Sequence, residues 1–192
     1  MQKRCFDIVM ALIGILLLWP IMLLCWLVAS VDTRGNGVFV QQRVGRYGEI
    51  IRVYKIKTMY DATGVRSAIT AESANMISSS GRFLRAYKLD ELPQLFNVLF
   101  GVMSFVGPRP DVPGYADALQ GDDRIILSIR PGITGPASLY YRDEEDILRK
   151  VDNPRSYNDE VIWPHKVRIN KEYVHSMSLR GDIRLILKTI FG

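Results

Sequence analysis

Hydrophobic and polar positions split the chain into an apolar opening and a mixed remainder. Ile8 to Val31 holds 24 residues without a charged side chain, a run that reaches about 36 Å as a helix and matches a hydrocarbon core of about 30 Å. A membrane helix is predicted there. A cleaved secretory signal is a poorer account, because its apolar region spans only about 7 to 15 residues. Lys3 and Arg4 precede the run, and Arg34, Arg43, Arg46, Arg52, Lys55 and Lys57 follow it, offset between residues 33 and 58 only by Glu49. Positive flanks are retained on the cytoplasmic side, so neither end is marked for export. Pro20 lies near the middle, where a missing N–H and a ring clash weaken or bend a helix. A straight span and a re-entrant helix broken at Pro20 stand equal on these grounds.

After Val31 the pattern shortens. Val38 to Val40 and Ile50 to Tyr54, with Gly45 and Gly48 between them, predict a small β-hairpin. Residues 61–80 are rich in Ser, Thr, Ala and Asn with no clear period, which reads as a loop or a weak helix. Leu92, Leu95, Phe96 and Leu99 recur at helical spacing from Asp90 onward. They predict a helix of about three turns with one apolar stripe. Prolines 108, 110 and 113 stiffen a loop, and Arg130-Pro131-Gly132 through Gly135-Pro136 marks another turn. The segment 142–160 has seven acidic residues against four basic ones and reads as a solvated helix and loop. From Pro164 to Gly192 cations alternate with Ile183, Leu185, Ile186, Leu187 and Ile190. This tail reads equally as an amphipathic element on an anionic membrane surface and as a core helix with snorkelling cations.

Composition narrows the classes. With 192 residues, 48% hydrophobic and 23% charged, the chain suits about one domain and is neither disordered nor fibrous. The formal charge of +5 favours anionic partners such as phosphates or acidic lipids. No basic recognition helix or aromatic binding motif supports a nucleic-acid partner. Cys5 and Cys25 share no ligand spacing with each other or with His165 and His175, which argues against structural zinc and for a reduced setting.

Chemistry centres on Asp90 and Glu91. A capping Asp and a first-turn Glu are the plain explanation, contributing about 0.5 to 2 kcal/mol of stability. Their company favours more: Arg85 lies five residues upstream, and Arg109 sits in Gly107-Pro108-Arg109-Pro110, where flanking prolines restrict the backbone. Guanidinium forks match phosphate oxygens. Carboxylate, two Arg and a divalent ion form a coherent set for phosphoryl transfer.

Ordered motifs carry a resemblance over nearly the whole chain. Lys3-Arg4-Cys5-Phe6-Asp7, Phe39 through Gly45, Tyr54-Lys55-Ile56-Lys57-Thr58-Met59, Leu89-Asp90-Glu91-Leu92-Pro93-Gln94-Leu95 followed by Phe96-Asn97-Val98, Gly107-Pro108-Arg109-Pro110 and Arg130-Pro131-Gly132-Ile133-Thr134-Gly135 resemble the bacterial monotopic phosphoglycosyl transferases, or bacterial sugar transferases. Departures from the family pattern are Trp19 for a Ser before the proline, Ile56 for Phe, and Pro136-Ala137-Ser138 for Trp-Ala-Gln.

The resemblance implies an α/β fold class: a re-entrant membrane helix (1–32) broken at Pro20, and a cytoplasmic catalytic domain (33–192) that is small and mostly helical, with a short β-hairpin and interfacial amphipathic helices. It places both termini on the cytoplasmic face of a bacterial inner membrane. The implied reaction moves a sugar 1-phosphate from a UDP-sugar to polyprenyl (undecaprenyl) phosphate with release of UMP, starting glycoconjugate or polysaccharide assembly. Asp90 would be the nucleophile and a Mg2+ ligand, Glu91 would position or deprotonate the acceptor, and Arg85 and Arg109 would hold phosphates. Lys55 and Lys57 would contact phosphate or lipid head groups, with a structural role equally open. The sugar, the polyprenol length and homo-oligomerisation stay open. A noncatalytic membrane-bound adaptor that holds anionic lipid is the alternative.

Overall fold

The computed structural model describes residues 2–60 and 76–192, so residues 61–75, the larger part of the Ser/Thr/Ala/Asn-rich segment, lie outside it. Among the described residues eight α-helices and four strands follow one another, with short 3-10 and π turns between them: α1 Gln2–Asp32, β1 Val38–Val44, β2 Ile50–Ile56, α2 Ser79–Ala86, α3 Gln94–Phe100, β3 Ser104–Val106, β4 Gly132–Thr134, α4 Pro136–Tyr140, α5 Glu144–Leu148, α6 Pro154–Tyr157, α7 Trp163–Ser176 and α8 Leu179–Phe191. Helix predominates over strand. This corrects the α/β expectation toward a mostly helical chain, because the sheets among the described residues are two pairs, β1 with β2 and β3 with β4. The hairpin expected between Val38 and Tyr54 is present, its turn closed by Gly45 N donating to Glu49 O at 2.7 Å.

Contacts gather into two interleaved compact units. One comprises Arg4–Gln42 and Arg52–Gly101; the other comprises Arg43–Ile51 and Val102–Gly192, with Lys3. In the first unit α1 runs for 31 residues, and the helix continues through Pro20. The expected break is therefore not an interruption of secondary structure: the proline removes one N–H partner, that of Leu16 O, inside an otherwise continuous helix. Buried Asp7, Ala11, Met22, Cys25 and Ala29 lie along one face, and Cys25 and Ala29 pack with Ile56, Leu84 and Leu89. The remaining faces expose Leu12, Leu16, Leu17, Trp19, Leu24 and Leu27. An apolar surface of that extent on one helix fits membrane association, and α1 is long and apolar enough to cross a bilayer.

Both ends of α1 are fastened within this unit. Arg4 donates to Val98 O at 2.6 Å and Leu99 O at 2.9 Å, bringing a cation to the C-terminal carbonyls of α3. Gly101 ends that helix at φ 86°, and a side chain there would sit 3.0 Å from Arg4 Nη2. At the far end, the Asp32 carboxylate accepts from both the backbone N and the hydroxyl of Ser80, at the start of α2.

In the second unit β3 and β4 pair in parallel, Ser104 opposite Gly132 and Val106 opposite Thr134. Backbones approach too closely there for any side chain: a Cβ on Gly132 would lie 2.1 Å from Gly107 N, and one on Gly135 would lie 2.2 Å from Gly107 O. Glycine is required for that braid. Val44, Ala116, Ile126, Leu127 and Val167 form the core nearby, with Trp163 packed on it. The acidic segment folds into α5 and α6, and α8 buries Asp182 while exposing Ile183, Leu187 and Ile190.

Candidate active site

The Asp90 turn is built by a reversal of the chain. Ser78 caps α2 by accepting Gly81 N, and after Ala86 the backbone enters the left-handed region at Lys88 (φ 55°). This turns it into the single 3-10 turn Leu89–Glu91, which leads through Leu92 and Pro93 into α3. Neither carboxylate caps a helix: the N-cap position of α3 belongs to Pro93, and no side-chain cap bond forms at either start. The capping explanation for Asp90 therefore fails.

Asp90 is instead a buried carboxylate, 8% exposed. Its Oδ1 has no hydrogen-bond partner among the described residues. Burial raises its pKa above the ordinary carboxylate range, Glu91 adds to that rise, and Lys55, Arg85 and Lys88 oppose it. Lys55 Nζ lies 3.4 Å from Glu91 Oε1, both side chains being largely buried. Four of the predicted residues, Asp90, Glu91, Arg85 and Lys55, thus act on one another within one unit. Lys57 is placed elsewhere: it is buried, its N–H bonds Gly37 O, and its Nζ lies 3.6 Å from where a Cβ on Gly35 would stand, beside the loop that follows α1.

Two residues at this site escaped the sequence reading. Asn97 is 1% exposed; its Oδ1 accepts Tyr54 N at 3.1 Å and its Nδ2 donates to Arg52 O at 2.6 Å. One amide thereby clamps β2 to α3 and holds the strand that carries Lys55. Gln94, 2% exposed, is the other, and its Nε2 is also without a partner among the described residues. The signal for both was available, since each is an amide inside an apolar helix. The predicted stripe is corrected accordingly. Leu95 is buried, but Phe96 and Phe100 face outward with ring centroids 6.5 Å apart, while Gln94, Asn97 and Val98 turn inward.

Arg109 belongs to the second unit, where its Nη1 donates to Ile133 O at 3.4 Å. Around the same loop Arg43 donates to Pro110 O at 3.1 Å, Val44 N bonds Asp111 O at 2.8 Å, and Lys166 pairs with Glu144 at 2.6 Å. Burial lifts the Asp111 carboxyl to about 6, against the pull of Lys166, Arg43 and Arg109. This loop is rich in cations and suits an anionic ligand.

Among the described residues no group of three or more His, Cys, Asp or Glu could hold a metal. A Mg2+ ion needs fewer, because it binds through one or two carboxylates and completes its shell with water and substrate phosphates. The orphaned Asp90 Oδ1 beside Glu91 fits that donor set.

The family model described as bacterial sugar transferase matches residues 1–192. A UDP-glucose:undecaprenyl-phosphate glucose-1-phosphate transferase of Klebsiella pneumoniae is 32% identical over 98% of this chain and 39% of its own length. A UDP-N-acetylgalactosamine-undecaprenyl-phosphate N-acetylgalactosaminephosphotransferase of Aeromonas hydrophila is 31% identical over 98% of this chain and 42% of its own. A second glucose-1-phosphate transferase of the first kind, from Caulobacter vibrioides, is 30% identical over 99% of this chain and 68% of its own. The chain spans about two fifths of the length of the first two relatives.

Proposed function

The chain belongs to the bacterial sugar transferase family, and from that premise we propose that it transfers a sugar 1-phosphate from a UDP-sugar to undecaprenyl phosphate through a covalent intermediate on Asp90. The observation that carries this reading is the buried Asp90 carboxylate, with one oxygen unpartnered among the described residues and with Glu91, Lys55 and Arg85 acting on it. A carboxylate so poorly solvated is a stronger nucleophile than one in water, and the neighbouring cations suit phosphate oxygens.

An Asp90 oxygen attacks the sugar-linked phosphorus, and the bond from that phosphorus to the bridging oxygen breaks. UMP leaves with the electron pair. An oxygen of polyprenyl phosphate then attacks the same phosphorus, the bond to Asp90 breaks, and the carboxylate is restored. Glu91 orients or deprotonates the acceptor, and Lys55 fixes Glu91 through their ion pair. Arg85 stands near the dyad as a phosphate ligand, and Arg109 in its proline loop binds phosphate through a guanidinium flanked by restricted backbone. Asp90 and Glu91 would hold Mg2+, which offsets negative charge between carboxylate and diphosphate when bound.

The apolar faces of α1 support seating at the inner membrane, and the family resemblance suggests both termini on the cytoplasmic side with α1 re-entrant, bent about Pro20 without loss of helix. A polyprenol-linked acceptor is confined to that surface, so the enzyme meets it in two dimensions. Incubating the full chain with a panel of UDP-sugars, Mg2+ and undecaprenyl phosphate should release UMP and yield a phosphosugar adduct on Asp90 detectable by mass. Asp90→Asn should abolish both while membrane association persists. Retention of UMP release by Asp90→Asn would defeat the reading and favour another nucleophile; a folded wild-type chain that turns over no donor would favour the adaptor.

A further inference from the structure

Four residues beyond the nucleophile stands an amide that nothing in the fold explains. Gln94 is 2% exposed, and its Nε2 has no hydrogen-bond partner among the described residues. A buried donor left unsatisfied costs its full desolvation, and native proteins carry few of them. The backbone from Asp90 to Gln94 is right-handed and helical, with Leu92 at φ −54°, ψ −37° and Pro93 at φ −61°, ψ −15°. Hydrogen bonds from Leu92 N to Leu89 O and from Leu95 N to Leu92 O carry the chain from the Asp90 turn into the first turn of α3 without a break. A buried acceptor and a buried donor, Asp90 Oδ1 and Gln94 Nε2, each without a partner among the described residues, therefore stand four residues apart in one right-handed run.

Among the described residues neither finds a partner, so each is open to a group that arrives from outside them. Asn97 shows what a purely structural amide does here: three residues on, it spends both of its amide groups on β2 backbone. Gln94 spends its donor on nothing. An anionic oxygen suits an N–H donor beside a reactive carboxylate, and the group that must arrive at Asp90 carries such oxygens.

We infer that Gln94 is a further catalytic residue whose Nε2 donates to a nonbridging oxygen of the phosphoryl group transferred to and from Asp90. This inference rests on the nucleophilic role proposed for Asp90. As that phosphorus passes through five-coordination, charge collects on its nonbridging oxygens, and a donor already in place and already desolvated stabilises it without reorganisation. The phosphorus gains its bond to Asp90 and loses its bond to UMP while the Gln94 proton stays on nitrogen.

The test uses the full chain in detergent or nanodiscs, a UDP-sugar that the wild type turns over, Gln94→Leu and Gln94→Glu. Leu removes the orphan donor at similar size, so Gln94→Leu should melt at or above the wild-type temperature. Its rate of UMP release and of adduct formation on Asp90 should fall about 100-fold, with KM for the donor within about threefold, as expected for a contact made in the transition state. Gln94→Glu replaces the donor by an anion and should fall further. The inference is overturned if either variant, melting like wild type, forms adduct within about threefold of the wild-type rate, or if both variants lose the fold, because the amide is then structural. Failure of the underlying reading looks different: the wild type forms no adduct on Asp90, or Asp90→Asn still releases UMP.

Discussion

Two buried aspartates, one in each compact unit, are treated in opposite ways. Asp182, 1% exposed in the first turn of α8, is ion-paired to Lys3 and accepts the Tyr173 hydroxyl at 2.7 Å. The helix start adds a favourable dipole. Asp90 is nearly as buried, yet one of its oxygens has no partner among the described residues, and a like charge stands next to it in Glu91. A carboxylate that serves architecture is given counter-charge and donors, and the different treatment of Asp90 fits the nucleophilic role proposed for it. On that proposal, stability is given up at the second position for reactivity.

That contrast is tested most severely by neutralising each aspartate in turn. Asp90→Asn should cut UMP release by about 10⁴-fold and also raise the melting temperature near neutral pH. The sign follows from its elevated pKa: the folded state binds the Asp90 proton more tightly than the unfolded state, so ionisation costs stability as pH rises through the window between the two pKa values. Calorimetry alongside the assay reads both effects, and a destabilised Asp90→Asn would break the comparison. Asp182→Asn should do the reverse, losing about 3 kcal/mol of stability because Lys3 loses its counter-charge. Turnover of the folded fraction should stay unchanged, as chemical denaturation and a folded-fraction assay would show.

A third carboxylate sharpens the point. Asp111 is lifted to about 6 by burial despite three nearby cations. Wild-type stability should therefore fall as pH rises from about 4 to about 6 and then level off. Asp111→Asn should be more stable by roughly 2 kcal/mol at pH 8 and no different at pH 4, read from melting curves across that range. The smallest effect is expected from Lys55→Met. It removes one of the cations that oppose the Asp90 rise, so the acid limb of the rate profile should move to higher pH. On that limb the rate should fall, with recovery in more alkaline buffer. An unshifted acid limb would mean that Lys55 serves Glu91 alone.

What the chain disclosed in advance follows the range of its interactions. The apolar helix, the hairpin and the Asp90-Glu91 pair are local, and periodicity, glycine spacing and adjacent charges revealed them. Lys3 with Asp182 was invisible, because partners 179 positions apart leave no mark on a local pattern. So was the β3–β4 pair, whose three-residue strands are too short to alternate detectably. The stripe from Leu92 to Leu99 misled for a different reason. Periodicity identifies an apolar face but not what lies opposite it; Phe96 and Phe100 point outward, while Asn97 turns in to satisfy the backbone of β2. The capping expectation for Asp90 failed because the left-handed Lys88 inserts a separate 3-10 turn before α3, a change of direction that no propensity at Lys announces.

On the proposed seating and chemistry, the two fastenings of α1 would couple the lipid phase to the reaction geometry. Arg4 grips the end of α3 and Asp32 grips the start of α2, and these two helices bracket the turn that bears the nucleophile. With α1 in a bilayer, a helix drawn inward by one residue would lower that turn by about 1.5 Å. On that proposal, thickness and fluidity of the surrounding lipid would bear on the alignment of carboxylate and phosphorus.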